Sequence, residues 1–375
     1  MKVLHLVKTS SGAFWALRQM RELVKCGIEV HVAFPFGGRR MHLYEEAGII
    51  MHEVDFSVKN IFKSCIKLKR IINDIAPDII HSHFFITTLI MRLVGLTDKR
   101  PRIFQVAGPL HLEHNIFRFL DVNFSKKNDY WIGTCKWTVN RYLKSGIPED
   151  RVFLSYIGNV IEHEECQKDV IRKEYGLSKD DIIIAMIAYM YPPKGYIGQT
   201  KGVKGHEDFI DAISLLKKEY PNIYGVCIGG VSGGGLDKRS MKYEKKLKKY
   251  GTEKCGNQLI FMGTRHNIPE LYADIDIAIC ASYSENLGGS SQAMIYKVPI
   301  ISSNVGGLTD IVIDGKTGYL INPGKPLEIV DAVKKMLEDP QKTRDMVEAG
   351  YSLRMKLSNL DTYVQNTLDI YNKIT

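Results

Sequence analysis

Short apolar runs alternate with amphipathic runs along almost the whole sequence, and this rhythm limits the possible folds more than any other feature. The pattern opens with a strand-like run over residues 1–7, a turn at 11–13 and a helical run over 14–26 that stops at Gly27. A helix between two strands lets the chain cross back over the sheet, so the strands are parallel and the crossover is right-handed. The rhythm therefore predicts an α/β protein built on parallel sheets.

The same rhythm predicts strands in both halves of the chain. They cover residues 1–7, 29–34, 79–83, 102–107, 130–134, 151–156, 182–190, 224–228, 259–262, 277–281, 298–302 and 318–321, with helices over 14–26, 39–47, 58–75, 161–178 and 207–220. Uninterrupted apolar strands such as 277–280 are typical of a sheet that helices cover on both faces. If two such sheets face each other, the carboxyl ends of their strands surround one cleft, which is the usual ligand position.

A chain of 375 residues is long enough for two such domains, each with its own core. We expect an N-terminal Rossmann-like domain over 1–160 and a C-terminal one over 161–355. Residues 356–375 are predicted to form a helix that crosses back to the N-terminal domain.

The cysteine pattern and the apolar runs exclude several classes of protein. The seven cysteines are scattered, without a Cys-x-x-Cys pair, so a disulfide framework or a zinc ribbon is not expected. The first residues lack the features of a signal peptide, and no run reaches the roughly 18 apolar residues of a transmembrane helix. We therefore expect a cytoplasmic protein, with peripheral attachment to the inner face of the membrane left open.

Positive charge is concentrated in the N-terminal half. Residues 1–160 hold 23 Lys and Arg against 14 Asp and Glu, a formal charge of +9, whereas residues 161–375 hold 28 of each. The predicted helix 58–75 places Lys59, Lys63 and Arg70 beside apolar positions such as Phe62 and Ile66. An anionic membrane surface would suit this pattern, and solvated lysines around a sheet-packed helix would produce it equally. No nucleic-acid partner is predicted.

The most informative stretch follows the strand at 277–281 and reads Ser-Tyr-Ser-Glu-Asn-Leu-Gly-Gly before a helix predicted to start near Ser290. Free N–H groups at a helix start bind anions, and Gly288 and Gly289 let a phosphate approach the backbone. The Glu285 carboxylate would repel phosphate, so it suits the hydroxyl groups of a sugar.

This stretch resembles the retaining GT-B glycosyltransferases of family 4, group 1, which include sucrose synthase, sucrose-phosphate synthase and bacterial lipopolysaccharide and mannosyl transferases. That family shows Glu-x7-Glu, then a small residue with Met, a Pro-containing strand, Gly-Gly and a Gly-x-x-Gly-like turn. The matching residues here are Glu285, Ala293, Met294, Pro299, Gly306, Gly307, Asp314, Gly315 and Gly318. The resemblance covers the whole chain and is strongest over 180–325. It implies a GT-B fold, with two facing Rossmann-like domains and a cleft between them, the N-terminal one for the acceptor and the C-terminal one for the donor.

The resemblance also implies roles for residues of the second domain. Glu285 would bind hydroxyls of the donor sugar, while the amides of Asn286, Leu287 and Gly288 would face the sugar and the distal phosphate. The second acidic position, which contacts the ribose, is Gln292 here and departs from the family.

Two cations are expected near the donor phosphates. Lys204 best matches the family lysine, with Lys194 and Lys201 as local rivals. Arg265 would replace an arginine that the family carries and that is missing after the strand at 182–190.

In the first domain, Gly12 and Ala13 correspond to the glycine-rich loop that approaches the donor phosphates. The family histidine over the reacting sugar aligns with Ala107, so His111 is the candidate for that catalytic role. His81 and His83 share one strand face, but no further ligand is suggested nearby, and no metal site is predicted.

The family mechanism implies transfer with retention of configuration, in which the leaving diphosphate helps to deprotonate the acceptor. No cofactor or metal is expected; the substrates would be a UDP- or GDP-type sugar and a glycan or lipid-linked acceptor of bacterial surface polysaccharide such as capsule. A sugar-nucleotide epimerase and a non-catalytic nucleotide or glycan binder stay open as alternatives. An NAD dehydrogenase is disfavoured because residues 1–11 carry no dinucleotide fingerprint.

Overall fold

The computed structural model describes residues 1–95, 99–108, 110–159, 168–195, 198–231, 237–287 and 289–375. It divides into two compact units, which we call the N-unit (Met1–Val160 with Leu357–Thr375) and the C-unit (Ile161–Lys356). None of the helices in these described ranges is both long and apolar enough to cross a membrane.

Strands and helices alternate through both units. The strands are β1 (Lys2–Leu6), β2 (Glu29–Phe34), β3 (Ile50–Glu53), β4 (Ile79–Ser82), β5 (Arg102–Phe104), β6 (Asp129–Gly133), β7 (Val152–Leu154), β8 (Ile182–Ile187), β9 (Ile223–Ile228), β10 (Leu259–Gly263), β11 (Ile277–Cys280), β12 (Ile300–Ser303) and β13 (Tyr319–Ile321). The helices are α1 (Phe14–Lys25), α2 (Met41–Glu46), α3 (Ile61–Ile75), α4 (Phe85–Val94), α5 (Leu110–Glu113), α6 (Asn115–Val122), α7 (Lys136–Lys144), α8 (Val170–Tyr175), α9 (His206–Leu216), α10 (Lys238–Cys255), α11 (Ile268–Tyr272), α12 (Gln292–Ile295), α13 (Pro326–Glu338), α14 (Pro340–Leu357) and α15 (Leu360–Ile374).

The N-unit is built on a parallel sheet in the order β3-β2-β1-β4-β5-β6-β7. Helix α15 packs on α1 in this unit, where Tyr371 is fully buried. The sequence did not predict β3, because its four residues are half-exposed at the sheet edge and show no continuous apolar run. The order of the strands reverses between β1 and β4, so this pair forms the switch point of the N-unit.

The C-unit repeats that order with a six-stranded parallel sheet, β10-β9-β8-β11-β12-β13. Its switch point lies between β8 and β11. Strand β11 is buried along its length and pairs with β8 on one side and β12 on the other, as its unbroken apolar sequence predicts. The predicted parallel α/β architecture is thus confirmed in each unit. The predicted helix 161–178 is observed only as α8, since residues 160–167 lie outside the described ranges.

Three histidines form a buried cluster in the N-unit. His5 on β1 lies opposite His81 on β4, and His83 follows β4 directly. His5 Nδ1 and His83 Nε2 share a hydrogen bond of 2.8 Å, and the rings of His81 and His83 stack at 4.3 Å. The sequence had suggested only His81 and His83, since nothing along the chain links them to His5. Two imidazoles on tetrahedral zinc hold their nitrogens about 3.3 Å apart, so the observed contact is a direct hydrogen bond within the cluster.

Burial lowers the pKa of all three imidazoles. It takes the pKa of His83 to about 3, and burial followed by the charge of His83 holds the pKa values of His5 and His81 well below 6.5. The cluster is therefore neutral in the folded protein, whereas the same side chains in the unfolded chain accept protons below about pH 6.5. Its contribution to stability is present above that pH and is lost as the pH falls.

We predict that the free energy of unfolding of the N-unit falls by about 1.4 kcal/mol per pH unit for each of these histidines below pH 6.5. All three tryptophans lie between residues 15 and 137, so tryptophan fluorescence in urea titrations reports on this unit. The variant His83→Gln should have a shallower dependence on pH, while His42→Gln, at an exposed position, should keep the wild-type slope. An identical slope in His83→Gln and the wild type would refute the assignment.

Candidate active site

A cavity of about 280 Å³ lies at the switch point of the C-unit. Its walls come from the segments that follow β8, β9, β10 and β11. The polar and aromatic lining residues are Tyr189, Tyr191, Lys204, Thr264, Arg265, Glu285 and Gln292. Open α/β sheets bind ligands at this position, because the loops that leave the two diverging strands separate there. The fold therefore places the predicted donor residues Lys204, Arg265, Glu285 and Gln292 around one cavity.

An ion pair between Lys204 and Glu285 occupies the wall of the cavity, with Lys204 Nζ against Glu285 Oε2. Ser282 Oγ donates to the same carboxylate oxygen at 3.2 Å, and the backbone N–H of Asn286 donates to Oε1 at 3.2 Å. Both charged side chains keep part of their surface open to solvent, 19% for Lys204 and 13% for Glu285. The pair is thus held in one geometry and remains reachable by a ligand.

The loop that carries Lys204 reaches Glu285 because of a close backbone approach at Gly205. This residue has φ of +74°, and a Cβ on it would lie 2.1 Å from the carbonyl oxygen of Ala281. A second link is the hydrogen bond of 2.8 Å from the N–H of Tyr283 to the carbonyl of Val203. Only glycine combines a positive φ with so short a contact. The segment after β8 is therefore fixed against the segment after β11.

Asp208 on α9 accepts a hydrogen bond from each of the same two segments. Its Oδ1 accepts a hydrogen bond of 2.5 Å from Lys201 Nζ, and its Oδ2 accepts one of 2.6 Å from the Tyr283 hydroxyl. Asp208 is almost completely buried, so Lys201 serves as its counter-ion. Since Lys201 is committed to Asp208, Lys204 is the lysine of this loop that lines the cavity. Lys194, the other rival, is not among the lining residues described.

The electrostatics of the pair favour a charged lysine. Burial by itself would lower the pKa of Lys204, but the attraction and hydrogen bond of the Glu285 carboxylate outweigh it and raise the pKa above 10.5. Two residues further on, His206 is buried at the start of α9, and burial lowers its pKa to about 4. Lys204 is therefore the cation here, and His206 is a neutral core side chain for which no role was predicted from the sequence.

Arg265, the second cation among the lining residues, already has a carboxylate partner. The Arg265 guanidinium pairs with Glu174, and its Nε donates to the carbonyl of Met262 at 3.2 Å. It lines the cavity, but an anion would have to draw it away from Glu174.

Tyr189 and Tyr191 lie edge to face with ring centroids 6.4 Å apart, and Tyr189 is 46% exposed. No binding role was predicted for these rings from the sequence, although two tyrosines directly after a strand end at a switch point were a usable signal.

The segment after Glu285 differs from the helix predicted there. Residues 289–291 form one 3₁₀ turn, and α12 that follows spans only Gln292–Ile295. The chain leaves the helix at Lys297, whose φ is +54°, and the next strand, β12, begins at Ile300. So short a helix has a small dipole, because few peptide units are aligned in it. Asn286 and Leu287 are buried beside Glu285, and Gly288 lies outside the described residues.

The other predicted site residues belong to the N-unit. Gly12 and Ala13 form the turn before α1, where Ala13 has φ of +55°. His111 is buried: its Nδ1 lies 2.8 Å from the carbonyl of Gly108 and its Nε2 lies 3.0 Å from the hydroxyl of Tyr142. His111 Nε2 also lies 3.4 Å from Asp121 Oδ2. Both ring nitrogens thus have protein partners, and a catalytic role for His111 stays a prediction.

We predict that Gly205→Ala destabilises the C-unit by about 3 kcal/mol or more, because it adds a backbone clash to the cost of positive φ. Gly176→Ala is the matched control, since Gly176 has φ of +66° with no atom within 4 Å of a new Cβ, and should cost about 1–2 kcal/mol. Chemical denaturation followed by circular dichroism measures both. Equal losses would mean that Gly205 is needed for its backbone angle alone.

Comparisons with known proteins agree with this architecture. The model of the family "Glycosyltransferase Family 4" matches residues 14–161, and that of "Glycosyl transferases group 1" matches residues 167–353. The capsular polysaccharide biosynthesis glycosyltransferase CapM of Staphylococcus aureus is 22% identical over 96% of this chain and 92% of its own.

Two solved structures share the fold of the whole chain. HepE from Anabaena, solved with UDP and with UDP-glucose, superposes on 99% of this chain and 100% of its own with a TM-score of 0.80 and 18% identity for the UDP complex. Sucrose-phosphate synthase from Thermosynechococcus elongatus covers 100% of this chain and 98% of its own, with a TM-score of 0.79 and 14% identity. With two Rossmann-like units, a cavity at the switch point of the C-unit and both family models matched, this chain belongs to the group 1, family 4 glycosyltransferases of GT-B fold.

Proposed function

We propose that this glycosyltransferase moves a hexose from a nucleoside diphosphate sugar to a glycan or lipid-linked acceptor, with retention of anomeric configuration and without a metal ion. The observation that carries the proposal is the Lys204–Glu285 pair in the cavity of the C-unit. It offers a positive charge for a diphosphate beside an acceptor for sugar hydroxyls. The UDP and UDP-glucose bound to HepE support a donor of this class, and a GDP-type donor stays open.

The charge arrangement suits departure of a diphosphate. Negative charge grows on the leaving phosphate in the transition state, and a fixed ammonium such as Lys204 stabilises it without reorganisation. When the donor binds, the Lys204 ammonium forms an ion pair with the phosphate, and this partly replaces its ion pair with Glu285. Glu285 then has an oxygen free to accept a hydrogen bond from a sugar hydroxyl.

The small number of carboxylates in the described lining of the cavity supports retention and metal independence. Glu285 is the one carboxylate among its described lining residues, and Lys204 neutralises it. A hydrolase-like mechanism uses two carboxylates, and Mg²⁺ or Mn²⁺ prefers carboxylate oxygens. A front-face transfer, in which the leaving phosphate accepts the proton of the acceptor hydroxyl, needs neither a second carboxylate nor a metal ion.

Proton NMR of the first product formed gives its anomeric configuration. Activity in excess EDTA tests whether transfer requires a metal ion.

The likeness to CapM supports a place in bacterial surface polysaccharide synthesis such as capsule. The N-unit would then bind the acceptor on the cytoplasmic side.

One observation favours a second candidate, a non-catalytic donor binder: the cavity presents Gln292 where the family carries an acid. A neutral amide still bonds a ribose hydroxyl but lacks the assistance of a charge, which is worth about 1 kcal/mol. Turnover that depends on an acceptor separates the transferase from the binder and from an epimerase.

A panel of nucleotide sugars tests the proposal by thermal shift. We expect one UDP- or GDP-sugar to stabilise the wild type by about 2.7 kcal/mol at 100 times its dissociation constant. Glu285→Ala should lose most of this shift for the sugar nucleotide, keep it for the free nucleotide diphosphate, and lose transfer activity. Glu348→Ala, which removes an exposed carboxylate paired with Lys297, is the matched control. A Glu285→Ala variant with wild-type turnover would exclude this cavity as the donor site.

Helix α3 of the N-unit supports docking to an anionic membrane surface. Its buried positions, Leu68 and Ile72, face the core, but Phe62 is 83% exposed and Ile66 is 59% exposed. Helix α6, which packs on α4 as α3 does, exposes Phe119 as well. Phe62 and Ile66 stand among the cations of α3, and each cation contributes roughly 1 kcal/mol near a charged membrane. Docking there would bring a lipid-linked acceptor to the N-unit.

We expect the protein to sediment with vesicles that contain phosphatidylglycerol and to stay in solution with phosphatidylcholine alone. Replacing Lys59, Lys63, Lys67 and Arg70 by Gln should abolish sedimentation, because the attraction depends on charge. Replacing four exposed lysines of α10 in the C-unit (Lys242, Lys245, Lys246 and Lys249) removes the same charge and should leave binding intact. Binding that is insensitive to salt or equal in the two variants would contradict the docking face.

A further inference from the structure

Four adjacent strands of the N-unit sheet, β2, β1, β4 and β5, are followed at their carboxyl ends by segments that carry positive charge without acids. These segments contain Lys8, Arg39 and Arg40 and no Asp or Glu. The acid-free stretches extend further, since no acid precedes Glu22 and none stands between residues 30 and 44. This part of the carboxyl edge, which we call the basic edge, differs from the cavity of the C-unit, where Lys204 faces a carboxylate.

Two arginines of the basic edge meet on one aromatic ring. Phe14 is the first residue of α1 and is 40% exposed. The guanidinium carbon of Arg18 lies 5.0 Å from its ring centroid, and that of Arg40 lies 5.1 Å from it. Arg18 comes from α1 and Arg40 from the loop after β2, so the tertiary fold brings together two like charges. Cation–π attraction to the ring holds each of them in place.

The loop that presents Arg40 is fixed rather than loose. Ser10 Oγ donates a hydrogen bond to the carbonyl of Pro35, and the N–H of Arg39 donates to Ser11 Oγ at 3.3 Å. At Gly38 a Cβ would lie 2.2 Å from Ser10 Oγ and 2.5 Å from the carbonyl carbon of Ser10. The loop after β2 is therefore pressed against the loop after β1, as the Lys204 loop is pressed against Ala281 in the C-unit.

Neither arginine has a counter-ion among the described residues. Arg21, one turn further along α1, pairs with Glu22 at 3.2 Å, but no carboxylate contacts Arg18 or Arg40. The Nε of Arg18 is buried without a hydrogen-bond partner. Burial, followed by the charge of Arg21, lowers the pKa of Arg18, although a guanidinium stays charged at neutral pH. Two clustered, partly desolvated cations of this kind gain most from a bound anion.

The cluster also lies beside the switch point of the N-unit. Trp15, next to Phe14, has its ring 5.3 Å from that of His83 and 6.2 Å from that of Phe84, which follow the end of β4. The start of α1 thus borders the gap where the loops after β1 and β4 diverge, which is the expected ligand position of this topology.

We propose that Arg18 and Arg40 form an anion subsite that recognises a carboxylate or phosphate group on the acceptor. The preferred acceptor is then an acidic sugar or a sugar phosphate rather than a neutral glycan. The term acceptor rests on the proposed function, but anion binding at these two side chains does not. Phe14 and the Ser10–Gly38 contact position the arginines, and the absence of acids at the basic edge leaves their charge available.

Calorimetric titration of the full chain tests the subsite with four probes: glucuronic acid, glucose 6-phosphate, glucose and UDP. The two acidic sugars should bind and glucose should not. The acidic sugar that binds more tightly shows whether the subsite prefers a carboxylate or a phosphate group. The double variant Arg18→Met, Arg40→Met should weaken the acidic sugars by at least tenfold and leave UDP affinity unchanged. Arg21→Met is the matched control on the same helix and should behave as the wild type.

Three results would overturn the proposal: acidic sugars that bind no better than glucose, equal weakening by Arg21→Met, or a parallel loss of UDP affinity in the double variant. The last would assign the arginines to the donor diphosphate. If the double variant does not fold, Arg40→Met alone, on the loop after β2, should still weaken the acidic sugars severalfold. Intact acidic-sugar binding in a protein that binds no nucleotide sugar would refute the donor proposal and leave this one standing.

Discussion

The candidate active site depends on the close approach of two backbones at Gly205 and Ala281. Without that contact the loop after β8 would not reach the segment after β11, and Lys204 would not meet Glu285. Burial of Asp208 reinforces the arrangement, because its two oxygens bind one side chain from each segment. A parallel sheet places these loops at one edge, but it is the absence of a side chain at one residue that lets them touch.

The two units share a strand order and treat charge differently at equivalent positions. In the C-unit the switch point holds a cation and an anion side by side, which suits a ligand with both a diphosphate and hydroxyl groups. In the N-unit the basic edge holds Arg18 and Arg40 on a phenylalanine, and the segments that follow β1, β2, β4 and β5 contain no acid. The excess of +9 in residues 1–160 is therefore not spread over a uniform surface. Part of it lies at the basic edge and part lies along α3.

Reasoning from sequence was most successful where burial imposes a pattern. The unbroken apolar run of β11 and the alternation of strands and helices predicted parallel sheets, and these are observed in both units. It failed where an element is held by tertiary contacts alone. Strand β3 is short and half-exposed, and the helix expected after Ser290 is only one turn because the chain turns at Lys297 to enter β12. Neither outcome leaves a periodic signal in the sequence.

Local pattern and motif spacing are sufficient to predict the fold class, the family resemblance and the candidates Glu285, Lys204, Arg265 and Gln292. The lysine that lines the cavity was decided by the tertiary structure, since Lys201 and Lys204 are three residues apart and differ in their partners, Asp208 and Glu285. The tertiary structure also decided that His5 joins His83 and that Arg40 joins Arg18. The pairs Arg18–Arg40, His5–His83 and Lys204–Glu285 lie 22 to 81 residues apart along the chain, and only the folded sheets bring them within contact distance.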